Sequence, residues 1–98
     1  FKSNIDGFFL KDLKCSIGDI SGTYVNKAKA MENVTISIKV FDRDDDPVGG
    51  CSTFIKEIDY NSGNKFEANN CNCSNGIFGK RKIEITVHDL TFFSLKNE

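Results

Sequence analysis

The sequence predicts an all-β chain folded as a single antiparallel sandwich of about seven strands, and three observations carry that reading. In residues 33 to 42 (NVTISIKVFD), Val34, Ile36, Ile38 and Val40 alternate with Thr35, Ser37 and Lys39, the period of a half-buried strand. A second clean alternation, KIEITVH at 82 to 88, repeats the pattern with Ile83, Ile85 and Val87. Between and around them, turn-forming residues recur every 8 to 12 residues or so, and no stretch has helical periodicity of useful length.

The elements follow in order. Residues 1 to 12 form a lead-in or a first edge strand, with Phe8, Phe9 and Leu10 adjacent between Asp6 and Lys11. LKCSI at 13 to 17 alternates Leu13, Cys15 and Ile17 against Lys14 and Ser16; Gly18 and Asp19 interrupt, and ISGTYVN resumes at 20 to 26. This reads as two short strands or one bent strand. NKAKA at 26 to 30 is a polar connection, and Met31 and Glu32 lead into the strand at 33 to 42. RDDDP at 43 to 47 is a turn, because aspartates hydrogen-bond their own backbone and Pro47 cannot donate to a ladder. The segment from Val48 to Ile55 is weakly patterned, and Gly49 and Gly50 mark a bulge or a close backbone approach, so it is placed at a sheet edge. Ile58, YNSGN at 60 to 64 and Phe66 read as strand, turn and strand, and NNCNCSNG at 69 to 76 is a loop by composition. Residues 89 to 98 are left as a C-terminal tail or a last edge strand.

Composition bounds the function. Ninety-eight residues with 39% hydrophobic content, nine Phe and no Trp allow one aliphatic and phenylalanine-rich core and no second domain. A net charge of -1 offers no field for phosphate backbones or anionic lipid, so nucleic acid is not an expected partner. No apolar run approaches the roughly 18 residues of a membrane span. The chain opens at Phe1 without methionine, which suggests an excised domain or a processed product.

The succession ISGTYVN, MENVTISIKVFDRDDDPVG and IDYNSGNKF resembles the FxLYD-type domains of bacterial and archaeal extracytoplasmic proteins, over residues 20 to 66. Gly22, Val25 and Asn26 stand in the family's GxVxN element. Asn33, Val34, Ile36, Ile38, Phe41 and Asp42 stand in its NVxVxVxxYD element, and Ile58, Gly63 and Phe66 in its later LxxGxxxxF corner. The resemblance implies an immunoglobulin-like or fibronectin-like sandwich acting as a secreted or surface-attached module, whose partner is a protein or cell-envelope component. It brings no catalytic residues. The chain departs from the pattern in Phe41 for the usual Tyr, a lengthened turn DRDDDPVGG, and four cysteines.

In a small extracytoplasmic chain, Cys15, Cys51, Cys71 and Cys73 are read as two disulfides, with three connectivities open. Cys71 and Cys73 are one residue apart and point the same way in extended chain, which favours cross-pairs to Cys15 and Cys51. A zinc site is the sharper alternative, but Cys15 and Cys51 are isolated where structural zinc sites present paired knuckles. Free buried thiols, or a hydrolase or redox centre on Cys71 and Cys73, are further readings. Asp42, Asp44 and Asp46 have the D-x-D-x-D spacing of a calcium loop. Pro47 replaces the glycine of its sixth position and Thr53 the acid of its twelfth, so a solvated turn is favoured and no cofactor is expected. His88 falls on the polar face of the last strand. Lys80, Arg81 and Lys82 form a basic strand entrance, and Asn33-Val34-Thr35 and Asn72-Cys73-Ser74 fit the glycosylation triplet without further support. No catalytic residue is assigned, and the expected role is a non-enzymatic interaction or structural module, with calcium or zinc binding as the alternative.

Overall fold

The four branched residues of the strongest alternation are all buried, at 0 to 1% exposure, and they form the spine of strand β3. The computed structural model of the chain describes residues 1–42, 44–73, 76–77 and 83–88. Its elements in order are β1 (Phe8–Ser16), β2 (Asp19–Asn26), β3 (Met31–Phe41), β4 (Pro47–Ile58), β5 (Ser62–Ala68), β6 (Gly76–Ile77) and β7 (Ile83–His88). Six of these are full strands. The two residues of β6 only bridge Lys14 and Cys15 of β1, so the expected seven strands reduce to six and a bridge among the described residues. The tail at 89–98 lies outside them.

Two antiparallel sheets result, one in the order β5-β2-β1-β6 and the other β4-β3-β7. Inward side chains of both make one cluster: Phe8, Leu10, Leu13, Ile20, Tyr24 and Phe66 from the first, Val34, Ile36, Ile38, Val40, Ile58, Ile85 and Val87 from the second. Each sheet therefore hides one face and wets the other, which is why the strands alternate rather than run apolar throughout. β3 is the middle strand of its sheet. Among the described residues β4 has only β3 as a ladder partner, as its weak pattern suggested, and Phe54 on its outer face is 61% exposed.

The lead-in and the LKCSI segment turn out to be one strand with a change of phase. Phe8 and Leu10 are buried, then Leu13 and Cys15, so the inward set shifts from even to odd numbers. The ladder to β2 shifts between Lys11 and Lys14, and Asp12 takes φ 55°. Two residues of β1 therefore stand opposite the single Gly22, a bulge. A Cβ on Gly22 would lie 2.5 Å from Leu13 Cδ2 and 3.0 Å from the Lys11 carbonyl oxygen, so the glycine is what lets Leu13 lean across the bulge. β3 has its own switch: Met31 and Val34 are both buried, and Asn33 between them has φ 52°.

Ile17 departs from the expected inward set. It is 88% exposed because Ile17 and Gly18, at φ 55° and 81°, are the two central residues of the turn joining β1 to β2, where Ser16 pairs with Asp19. A two-residue hairpin wants positive φ at both positions, and the right-handed twist of the flanking strands selects that geometry.

Strand directions put the connections at two poles. The β1–β2 turn, the β3–β4 turn and the 69–73 loop lie at one, and the 27–30 connection, the 59–61 turn and residues 1–7 at the other. At the second pole Tyr24 stacks on Phe8, with centroids 5.9 Å apart and planes 12° from parallel. Burial, and secondarily the charge of Asp59, push the Tyr24 phenol above its ordinary 10.0. The folded state thus holds the phenolic proton more tightly than the unfolded chain, so its contribution is intact below about pH 10 and is lost as pH rises through the folded value. Urea midpoints across that range should fall more steeply for the native chain than for Tyr24→Phe.

Candidate functional site

The features that depart from a plain sandwich meet at the first pole. Cys15, near the end of β1, is bonded to Cys73, and Cys51, in β4, to Cys71. The Cα separations are 6.2 and 4.7 Å, both ordinary for a disulfide. Each member of the Cys-x-Cys pair therefore reaches a different sheet, and no cysteine is free. The Cys71 amide donates to the Gly18 carbonyl at 2.7 Å, and the Asn70 amide to an Asp19 carboxylate oxygen at 3.0 Å. On the other side Asn72 Nδ2 donates to the Val48 carbonyl at 2.8 Å. A Cβ on Gly49 would strike the carbonyl oxygens of Cys71 and Asn72, which gives the first glycine of the pair its reason: the loop lies directly on the backbone there.

The acidic turn is organised by its first residue. One Asp42 carboxylate oxygen accepts from the amides of Asp44 and Asp46, at 2.8 and 3.0 Å. The Asp42 amide donates to the Asp46 carbonyl at 3.0 Å, and the Asp45 amide to the Asp42 carbonyl at 3.2 Å. This is the local bonding that makes aspartate a turn residue. The side chains of Asp42, Asp44 and Asp46 are exposed. Among the described residues no three His, Cys, Asp or Glu side chains gather as a metal-holding group.

His88 is exposed at the far end of β7, in line with Thr35 of β3, well away from the cysteines. Lys80, Arg81, Lys82 and Ser74 lie outside the described residues. Asn33 is half-buried within β3, and Asn72 is committed to Val48.

Sequence reasoning missed two residues. The first is Asn26, wholly buried. Its amide nitrogen donates to the Lys29 and Asp59 carbonyls at 2.7 and 2.9 Å, and its oxygen accepts from the Ala28 amide at 3.0 Å. The second is Ile17. Left-handed backbone costs a β-branched residue about 1 to 2 kcal/mol, and asparagine tolerates it far better. The change Ile17→Asn, which makes the preferred Asn-Gly hairpin turn, should raise stability by about 1 kcal/mol, read as an increased urea midpoint at unchanged slope. A positive φ at isoleucine has no sequence signal except the following Gly-Asp.

The pole is thus a rigid platform. Ile17 projects from a turn held by a disulfide and by the Gly18 and Asp19 bonds, and Val48, 41% exposed, lies at the same pole with the exposed Asp42, Asp44, Asp45 and Asp46. Among the described residues no helix is long and apolar enough to cross a membrane, and two disulfides indicate an oxidising environment. The chain matches no family model, no curated protein and no solved structure.

Proposed function

We infer that the chain is a non-enzymatic, immunoglobulin-like module of a secreted or membrane-attached protein, and that it presents its disulfide-stapled pole to a protein or cell-envelope partner. The strand order supports the fold assignment. β1, β2 and β5 take the places of strands A, B and E, β3 and β7 those of C and F, and β4 lies beside β3 as a C′ strand, the partition of the immunoglobulin family. The FxLYD-like motifs fit the same frame, since their Gly22 sits under the β1 bulge and their Asn26 ties the pole opposite the cysteines.

The observation that carries the functional reading is the placement of both disulfides. They join the 69–73 loop to β1 and to β4 and leave the opposite pole without a bridge. Antibody domains instead use a bridge between strands B and F within the core. Stiffening one set of loops lowers the ordering cost of recognition there, and an oxidising, extracytoplasmic location keeps the bridges closed.

The test is site-specific photocrosslinking in the native host, with the crosslinker at position 17 and, as control, at exposed Glu84 on the outer face of the other sheet. A discrete adduct from position 17 and none from 84 is expected. Equal adducts, or none from 17, would remove the reading. Intact-mass analysis with alkylation before and after reduction checks the compartment: four thiols should react only after reduction.

A further inference from the structure

We propose that the free edge of β4, from Ser52 to Glu57, takes up an extended segment of a partner protein as an added strand. This surface is distinct from the stapled pole and does not depend on how that pole is used. A strand at a sheet border shows a row of backbone donors and acceptors that another extended backbone satisfies in full, and native folds cover or blunt such borders. Elsewhere this chain does so. On the far side of β7, the Asn4 carboxamide pairs with both backbone groups of Val87, at 3.1 and 2.6 Å, and Ser3 bridges Ile85. Along β1, Lys2 bridges Phe9, and β6 meets Lys14 and Cys15. In β5 the Lys65 amide donates to Asn64 Oδ1 at 2.9 Å, and Lys65 and Glu67 are exposed charges. β4 is covered only at its start, where Asn72 Nδ2 donates to the Val48 carbonyl and the Cys71 and Asn72 carbonyls lie on Gly49. From Ser52 to Glu57 the backbone on the side away from β3 has no hydrogen-bond partner among the described residues, and the charges of β4, Lys56 and Glu57, stand together at its end.

The side chains along this edge give the incoming segment its chemistry. Phe54 stands on the outer face opposite Thr35, and its exposed ring gains cover from an apolar side chain beside it. Ile55, on the inner face, is half-buried against the core, so a β-branched neighbour continues the core margin. Farther along, Glu57 lies directly across from Glu32 of β3, and like charges in that relation repel. Beside them is a depression of about 290 Å³ whose lining, Ala30, Met31, Glu32, Glu57, Ile58 and Asp59, includes three carboxylates and no cation. A lysine or arginine can lay its aliphatic stem along that apolar lining and bring its charge to the acids, which also fixes the register of the added strand. The occupant is therefore an uninterrupted extended segment of β-branched and apolar residues with a base at one end, and without proline where an amide must face β4.

The probe is the peptide acetyl-Lys-Val-Thr-Val-Thr-Val-amide, titrated into the full chain and followed by amide NMR shifts and hydrogen exchange. In the free protein the edge-facing amides between Ser52 and Glu57 should exchange fast. Peptide at ~1 mM should shift and slow this stretch and no other sheet border. N-methylating alternate peptide residues in the phase that faces β4 should abolish the effect, and methylating the other phase should leave it. Glutamate in place of the peptide's lysine should weaken binding about threefold, a preference that disappears in Glu57→Gln. Phe54→Lys, which puts a charge on the border at an exposed position, should weaken binding further. Protected amides in the free chain, shifts at another surface, no response at ~1 mM, or equal response to both methylated peptides would each overturn the proposal. Slowing of the same amides as protein concentration rises, without peptide, would make a second copy's β4 the occupant and overturn the assignment to a different protein.

Discussion

Asn26→Leu is expected to lower the stability of the chain by about 3 kcal/mol, although leucine is of similar size and more apolar. The side chain is fully buried, so its bonds are made within protein and not shared with water. One amide nitrogen donates to two carbonyls from different segments, Lys29 in the β2–β3 connection and Asp59 in the β4–β5 turn, and the oxygen receives the Ala28 amide. Leucine would remove all three bonds, leaving the Asp59 carbonyl with its bond from Ser62 Oγ, at about 1 to 3 kcal/mol for each bond lost before relaxation. The loops will move to recover some water, which brings the sum to the figure given. Asn26→Asp tests the mechanism. An ionised carboxylate would face two carbonyl oxygens with no donor, so at neutral pH the aspartate variant should be less stable than the leucine one. Burial raises that carboxyl's pKa above its unfolded value, so its stability should rise as pH falls and the acid regains one donor. Urea midpoints of the three proteins at neutral and acid pH decide this; a pH-independent gap between the aspartate and leucine variants would refute the bonding scheme.

Asn26 also shows where the sequence was readable and where it was not. β3 and β7 were legible because each has one buried face and unbroken alternation, so period two survives in the letters. β1 was not, because the bulge at Asp12 shifts its inward set from Phe8 and Leu10 to Leu13 and Cys15. Read straight through, that strand breaks phase and divides into a lead-in and a separate piece. Its continuation to Ile17 then looks apolar and inward, whereas the two-residue turn carries that side chain into solvent. Extending alternation past the last ladder pair is safe only if the turn is known, and Ile-Gly is a poor advertisement for one.

The candidate site was legible as a set of departures: the lengthened acidic turn, the paired glycines and the cysteine-bearing loop. Their convergence was not, since it depends on β1, β3 and β5 all running toward the same pole. Nor could spacing show that Asp42 is engaged with the amides of Asp44 and Asp46; alternate aspartates suit a turn as well as a calcium loop. Asn26 belonged to a packing motif by resemblance, but only its three bonds reveal that the motif ties two loops together at the pole opposite the disulfides.

The second large effect concerns those disulfides. Replacing Cys15 and Cys73 together by alanine should cost about 4 kcal/mol, and replacing Cys51 and Cys71 about 3 kcal/mol, on loop-closure entropy for separations of 58 and 20 residues. The loops are nested, so the inner bridge already shortens the chain path that the outer one closes. Each bridge is thus worth somewhat less while the other is intact, so the double removal should slightly exceed the sum of the two single removals, and the excess measures the coupling. Packing adds to entropy at this pole. Cys71 is fully buried, and its neighbours lie on Gly49 and hold Val48, so releasing the 69–73 loop uncovers the start of β4 as well. Chemical reduction of the native chain should reproduce the alanine variants in urea titration, and an unchanged midpoint after complete reduction would contradict the bridging. Small domains are stable by only about 5 to 15 kcal/mol, and both bridges together account for a large share of that. A chain so dependent on its disulfides would fold poorly where thiols are kept reduced, which makes an oxidising compartment a condition of the structure.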